Sequence, residues 1–271
     1  MQFRRSKRHR TKHGPNFFYE KMNVLDLCKR IEADEVFSFA RYGDGEFHWL
    51  VGKPGFVNRS GHMTFEDGSR ALRQTLLDYG KDGKLKGKQP PFLLGGPTFF
   101  YGYGNEERKK RFGWYEEWIR EHGLTHLHWV SNLVFTGSSQ RAAEAREVYA
   151  LLAVLRKKHV VIVGPPWLER LPPSVLGTAY KKYIRVPPHN CWLCKDRIKR
   201  HILEYWTATT ERPIFFSLSC AYTANILVHE LADSVGKDSW LVDVGSLWDP
   251  YAGYHQRGYH SAIRDAGGAV T

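Results

Sequence analysis

The residues whose types and spacing point most directly to chemistry are Arg41-Tyr42-Gly43-Asp44-Gly45-Glu46. Asp44 and Glu46 offer hard oxygen ligands two positions apart, a pairing suited to Mg²⁺ or Mn²⁺ bridging a diphosphate. Gly43 and Gly45 allow a tight turn with accessible backbone amides, and Arg41 can add a charge-assisted contact to the same phosphates. Asp-Gly is also ordinary turn chemistry, so a solvated turn stands beside the phosphate reading. A second constellation is His189, Cys191, Cys194 and His201. Its spacing can be sketched as a zinc site, but it is not a strong zinc spacing, and buried or partly buried free thiols are the favoured reading. Phe99, Phe100, Tyr101 and Tyr103 crowd one glycine-rich stretch; their rings suit stacking on a sugar or a base, or plain packing.

Two nucleotide motifs are missing. No G-x-x-x-x-G-K-[ST] occurs, which argues against a P-loop phosphotransferase, and no G-x-G-x-x-G follows a strand, which argues against NAD- or SAM-type binding.

The elements that must position these residues alternate along the chain. Val36–Arg41 reads as a strand ending at the Gly-Asp-Gly sequence, and Phe92–Leu94 as a short strand closed by Gly95-Gly96-Pro97. Helices are predicted over Glu106–Glu121, Ser139–Lys157, Trp192–Trp206 and Ala221–Ser234. Further strands are expected at Leu127–Val130, Val160–Val163, Tyr183–Val186, Ile214–Leu218 and Trp240–Val244, with a long loop over Gly164–Leu176. This pattern predicts an α/β fold, a Rossmann-like and mostly parallel sheet flanked by helices. The expected organisation is one domain over residues 17–271 behind a flexible basic arm over residues 1–16.

With 271 residues, 42% hydrophobic and 25% charged, the chain has material for a sizeable core. No run approaches the ~20 apolar residues of a membrane span, and no apolar stretch follows the basic start as in a secretory signal. Four cysteines give no disulfide framework, so a cytoplasmic setting is expected. The net charge is +12, and Arg4, Arg5, Lys7, Arg8, Arg10 and Lys12 supply half of it, with no acid before Glu20. Those six residues are the candidate nucleic-acid contacts, because such a surface attracts polyanions through phosphate contacts. A solubilising tail and an anionic membrane surface are the alternatives.

Phe37-Ser38-Phe39-Ala40-Arg41-Tyr42-Gly43-Asp44-Gly45-Glu46-Phe47 resembles the opening motif of the GT-D glycosyltransferases, bacterial enzymes with an Asp-x-Glu metal motif. The likeness continues in order through Val160–Gly164, Tyr183–Asn190, Phe216–Leu218 with Ala221–Ala224, and Leu241–Gly245 with Asp249. The family usually has Gly-Pro before the Thr-Ala of its penultimate helix, where this chain has Ser219-Cys220-Ala221-Tyr222-Thr223-Ala224, and it often has His where this chain has Ser246. The resemblance implies a metal-assisted transfer from a nucleoside-diphosphate sugar, with UDP the expected nucleotide. On it, Asp44 and Glu46 would serve metal and diphosphate. Arg41, Gly43, Gly45, Ser217, Thr223 and Asp243 would bind the nucleotide sugar. Asp249 would be the catalytic base that takes the acceptor's proton, with Asp243 and His255 behind it. The basic charge favours a polyanionic acceptor, DNA carrying a hydroxymethylated base as in phage-type modification. The competing classes are a bacterial glycan or glycoprotein transferase, a non-catalytic nucleic-acid-binding α/β protein, and a SAM-dependent methyltransferase.

Overall fold

Eight strands form one sheet in a computed structural model that describes residues 18–20, 22–51, 57, 62–81, 91–96, 106–132, 134, 142–254 and 260. The arm residues Arg4, Arg5, Lys7, Arg8, Arg10 and Lys12, the aromatics of 99–103, His255 and the side chain of Asp44 lie outside this description.

The strands are β1 (Phe18–Glu20), β2 (Ser38–Arg41), β3 (Phe92–Gly96), β4 (His128–Ser131), β5 (His159–Gly164), β6 (Tyr180–Arg185), β7 (Ile214–Leu218) and β8 (Trp240–Asp243). Their order is β1-β4-β3-β2-β8-β7-β5-β6, and every pairing is parallel. The chain runs outward from β2 to β4, crosses to β5 and β6, and returns through β7 to β8 beside β2. The seam between β2 and β8 therefore joins the two halves of the sheet.

Parallel strands covered on both faces read as unbroken apolar runs, and all six residues of β5 are buried. Successive side chains then point to opposite cores. Val161, Val163, Phe216 and Leu241 enter one; Val160, Ile162, Phe215, Trp240 and Val242 enter the other. The first core is covered by α2 (Asp44–Leu50), α3 (Glu66–Lys81), α4 (Glu106–Glu121), α7 (Lys195–Ala208) and α8 (Tyr222–Leu231). The second lies beneath α1 (Val24–Glu32), which packs on α5 (Ala142–Leu155). α1 starts with a reciprocal cap: Asp26 N donates to Asn23 Oδ1 (3.0 Å) and Asn23 N to Asp26 Oδ2 (3.1 Å).

Some expectations are corrected. Gly43-Asp44-Gly45 is the entry to α2 and not a free turn, because Glu46 closes the helix's first turn on Gly43. The stretch expected as a long loop is folded: Pro166–Arg170 is a 3-10 helix and Pro173–Leu176 a short helix, α6, with Leu168, Leu171, Val175 and Leu176 buried. Pro at the start of both fixes a helix-compatible φ without wasting a hydrogen bond. The helix expected from Trp192 begins instead as a 3-10 turn, Cys191–Cys194, before α7. Among the described residues, no helix is long and apolar enough to cross a membrane.

Candidate functional site

All strands being parallel, their carboxyl ends share one edge of the sheet, where ligands bind in open α/β folds. At the β2–β8 seam that edge carries Arg41 and Asp243, the last residues of their strands. Arg41 is fixed from three directions. Its carbonyl accepts from Asn225 Nδ2 on α8 (2.8 Å), and its Nε lies 3.9 Å from Asp243 Oδ1. Its guanidinium lies over Gly245, where an added Cβ would come within 2.9 Å of Cζ. Gly245 also holds φ +59°, so both its conformation and its neighbour demand glycine. Its amide donates to Asp243 Oδ1 at 2.9 Å.

Glu46 approaches from α2. Its Oε2 accepts the Gly43 amide at 2.8 Å, so that amide is committed to the helix cap and does not point at a ligand. Asn132, just after β4, donates through Nδ2 to the Tyr42 carbonyl (3.1 Å), tying the β4 end to the β2 end. Close approach there depends on Gly95 of β3, where a Cβ would meet Phe39 at 2.8 Å and the Asn132 backbone at 3.1 Å.

Asp243 is 1% exposed, and burial lifts its carboxyl from the ordinary aspartate value to about 7. The Arg41 cation draws it down, and the Glu46 carboxylate pushes it up. Its Oδ2 is buried without a hydrogen-bonding partner among the described residues, as are Asn132 Oδ1 and Asn225 Oδ1. Unsatisfied buried acceptors clustered at one strand edge mark a place where a donor or cation is wanted.

The neighbouring Tyr42 turns inward, its hydroxyl 3.0 Å from His229 Nε2. Enclosed by Tyr42, Tyr79 and Phe92, His229 is pushed by burial down to about 3. The two shifts act oppositely on folding. Between 3.8 and about 7 the folded chain keeps an Asp243 proton that the unfolded chain releases, so stability falls as pH rises. Between about 3 and 6.5 the folded chain refuses a His229 proton that the unfolded chain binds, so stability rises with pH. In the parent these slopes largely cancel from pH 4 to 6.5. Asp243→Asn should unmask the second as a rise approaching ~1.4 kcal/mol per pH unit in urea unfolding with chelator present. Superimposable profiles for parent and variant would refute the assignment.

The structure thus brings together Arg41, Gly43, Glu46 and Asp243, with the Asp44 backbone at the start of α2. Gly45 lies in that same helical turn. Ser217 is wholly buried in β7, and its hydroxyl accepts from Trp248 Nε1 at 2.7 Å, so it sits in the interior beside Trp248 and not with the Arg41–Asp243 group. Thr223 is buried in the first turn of α8. Asp249 opens a 3-10 turn after β8; its Oδ1 accepts from Trp167 Nε1 (2.9 Å), and Trp167 stacks on Tyr254 at 4.1 Å.

Sequence reasoning missed Asn132 and Asn225. The available signals were an Asn directly after a strand and a lone amide in the apolar run Ile226–Val228 with Ala224 before it. Among the described residues, no group of three His, Cys, Asp or Glu could hold a metal ion, so the zinc alternative at His189, Cys191, Cys194 and His201 finds no support. Burial pushes the Cys191 thiol up to about 12, against the thiolate that zinc requires.

No family model and no curated protein matches the chain. Solved structures do. One, a domain of unknown function 1792 described as having a distinct glycosyltransferase fold, aligns with a TM-score of 0.58 at 18% identity, covering 90% of this chain and 88% of that one. This chain has that glycosyltransferase fold. Another, a glycosyltransferase of the same domain type from Streptococcus sanguinis, aligns with a TM-score of 0.60 at 14% identity, over 87% and 84% of the two chains. The GT-D-like architecture expected from the motif order is therefore the observed one.

Proposed function

We propose that the protein is a glycosyltransferase that moves a sugar from a nucleoside-diphosphate sugar to an acceptor hydroxyl. The observation that carries this reading is the Arg41 guanidinium, held over Gly245 and against Asp243 at the sheet seam, beside the Glu46 carboxylate. A fixed cation at parallel strand ends suits a leaving diphosphate, whose negative charge grows as the glycosidic bond breaks.

The two described carboxylates, Glu46 and Asp243, also suit a divalent cation, Mn²⁺ or Mg²⁺. The Glu46 carboxylate is close enough to raise the proton affinity of Asp243, and Asp243 Oδ2 is buried without a hydrogen-bonding partner among the described residues. Glu46 and Asp243, with Asp44 from the same turn, would hold the ion, which when bound would neutralise charge on the diphosphate. Arg41 binds and orients the same phosphates. Asp249, its carboxylate oriented by Trp167, takes the acceptor proton as the new bond forms.

The decisive measurement is thermal shift against UDP-, GDP-, ADP- and CMP-linked sugars with and without Mn²⁺. One nucleotide should raise the melting temperature only with the metal, by the equivalent of ~2.7 kcal/mol at a hundredfold excess over Kd. No shift with any donor would remove the transferase reading.

For the acceptor, the net charge of +12 supports a polyanion, with DNA bearing a hydroxymethylated base the specific candidate and a bacterial glycan or glycoprotein the competitor. Deleting residues 1–14 should weaken duplex binding and flatten its salt dependence, by a log–log slope of ~0.9 for each phosphate that the arm no longer neutralises. Unchanged binding would take the arm out of acceptor recognition.

A further inference from the structure

The segment Cys191-Trp192-Leu193-Cys194 is a single 3-10 turn carrying two free thiols. In a 3-10 helix, side chains three apart eclipse one another, and a rise of ~2 Å per residue puts their Cα atoms ~6 Å apart. That separation lies inside the ~4.4–6.8 Å window that a disulfide spans. Cys191 and Cys194 therefore share one face of one turn at bridging distance.

Among the described residues, each sulfur makes one hydrogen bond to a backbone carbonyl and none to another side chain. Cys191 Sγ donates to the Pro187 carbonyl and Cys194 Sγ to the Cys191 carbonyl, both at 3.3 Å. Cys194 is half-buried, and Leu193 beside it is 71% exposed, so a small solute reaches the turn.

The turn is also a staple. Asn190, at φ +55°, accepts the Met63 amide on Oδ1 (2.9 Å), and Trp192 Nε1 donates to Asp67 Oδ2 (3.0 Å). Trp192 further covers Gly68, whose added Cβ would lie 3.2 Å from its ring and 2.8 Å from Trp49. Trp49 belongs to α2, the helix that carries Asp44 and Glu46.

We propose that Cys191 and Cys194 form a reversible oxidation site, closed to a disulfide by a peroxide, and that closure loosens the staple on residues 62–68. The Cys194 thiolate attacks one peroxide oxygen. The O–O bond breaks, hydroxide leaves and takes up a proton, and Cys194 becomes a sulfenic acid. Burial disfavours a free Cys191 thiolate, so the second step is the slow one. The Cys191 thiol gives its proton to the departing sulfenic oxygen as its sulfur attacks the Cys194 sulfur, and that oxygen leaves as water. In sum, two thiols and one hydrogen peroxide give one disulfide and two waters. A disulfide pulls Cys191 off the Pro187 carbonyl and re-sets the turn between Asn190 and Trp192, the two residues that grip Met63 and Asp67.

The test uses the full chain treated with hydrogen peroxide, alkylated and digested with trypsin. The peptide Val186–Lys195 contains both cysteines and should run two hydrogens lighter, unalkylated, and revert with dithiothreitol. Cys194→Ser and Cys191→Ala should each abolish that species, with circular dichroism confirming their folds. In the oxidised protein, the Met63 amide should exchange about tenfold faster, the loss of one hydrogen bond. A Cys191 bridge to buried Cys220, over-oxidation of Cys194 without a bridge, or an unchanged Met63 amide would each overturn the proposal. None of these measurements depends on sugar transfer, so the site stands or falls independently of the proposed function.

Discussion

Replacing Arg41 with methionine is expected to lower kcat/KM for sugar transfer by ~10²–10³-fold, the effect of removing one preorganised group at a site of developing negative charge. Methionine keeps much of the aliphatic bulk over Gly245 and removes only the cation. The same change strips Asp243 of the charge that draws its proton affinity down, so the Asp243 carboxyl should titrate above about 7 in the variant. Lysine should restore only part of the activity, because a point charge on a flexible stem does not reproduce a planar fork held at Gly245. Steady-state kinetics with a melting curve decide it. Activity within twofold of the parent, at unchanged stability, would place the diphosphate elsewhere.

The second large effect is expected at Glu46, where two roles must be separated. Glu46 Oε2 caps α2 by accepting the Gly43 amide. Glutamine can still accept that bond through its amide oxygen, so Glu46→Gln should leave stability within ~0.5 kcal/mol of the parent, whereas alanine removes the cap and should cost ~1 kcal/mol. Both lose the carboxylate and should lose at least ~10²-fold in Mn²⁺-supported transfer. Removing that negative charge also relieves Asp243, whose carboxyl should titrate below about 7. If Glu46→Gln turns over at the parent rate, Glu46 is a structural cap and nothing more.

Much of the architecture was legible in the sequence, for a definite reason. Strands buried on both faces are apolar almost throughout, so Val160–Val163, and Ile214–Leu218 and Trp240–Val244 with one polar residue each (Ser217 and Asp243), declared themselves by composition. The acidic and basic candidates were also visible, since Arg41 and Glu46 sit where a strand gives way to glycines. Segments that bury only a stripe were harder to read. α1 and α3, each half-exposed, carry no long apolar run, and the packing of Pro166–Leu176 depends on a core that the segment does not itself contain.

The primary sequence, then, determined a parallel α/β sheet, a basic chain and an Arg-x-x-Asp-x-Glu cluster at a strand end. Tertiary structure alone decided which partners that cluster meets. Asp243 lies some two hundred positions from Arg41 and reaches it only because β8 inserts beside β2. Asn225 and Asn132 come from a helix and a strand end on either side of that seam. Turning Ser217 toward Trp248 was likewise a matter of strand register, since a residue's face in a sheet depends on which neighbour it pairs with. Local residue preferences set the elements; the strand order, through long-range burial, set the chemistry at their ends.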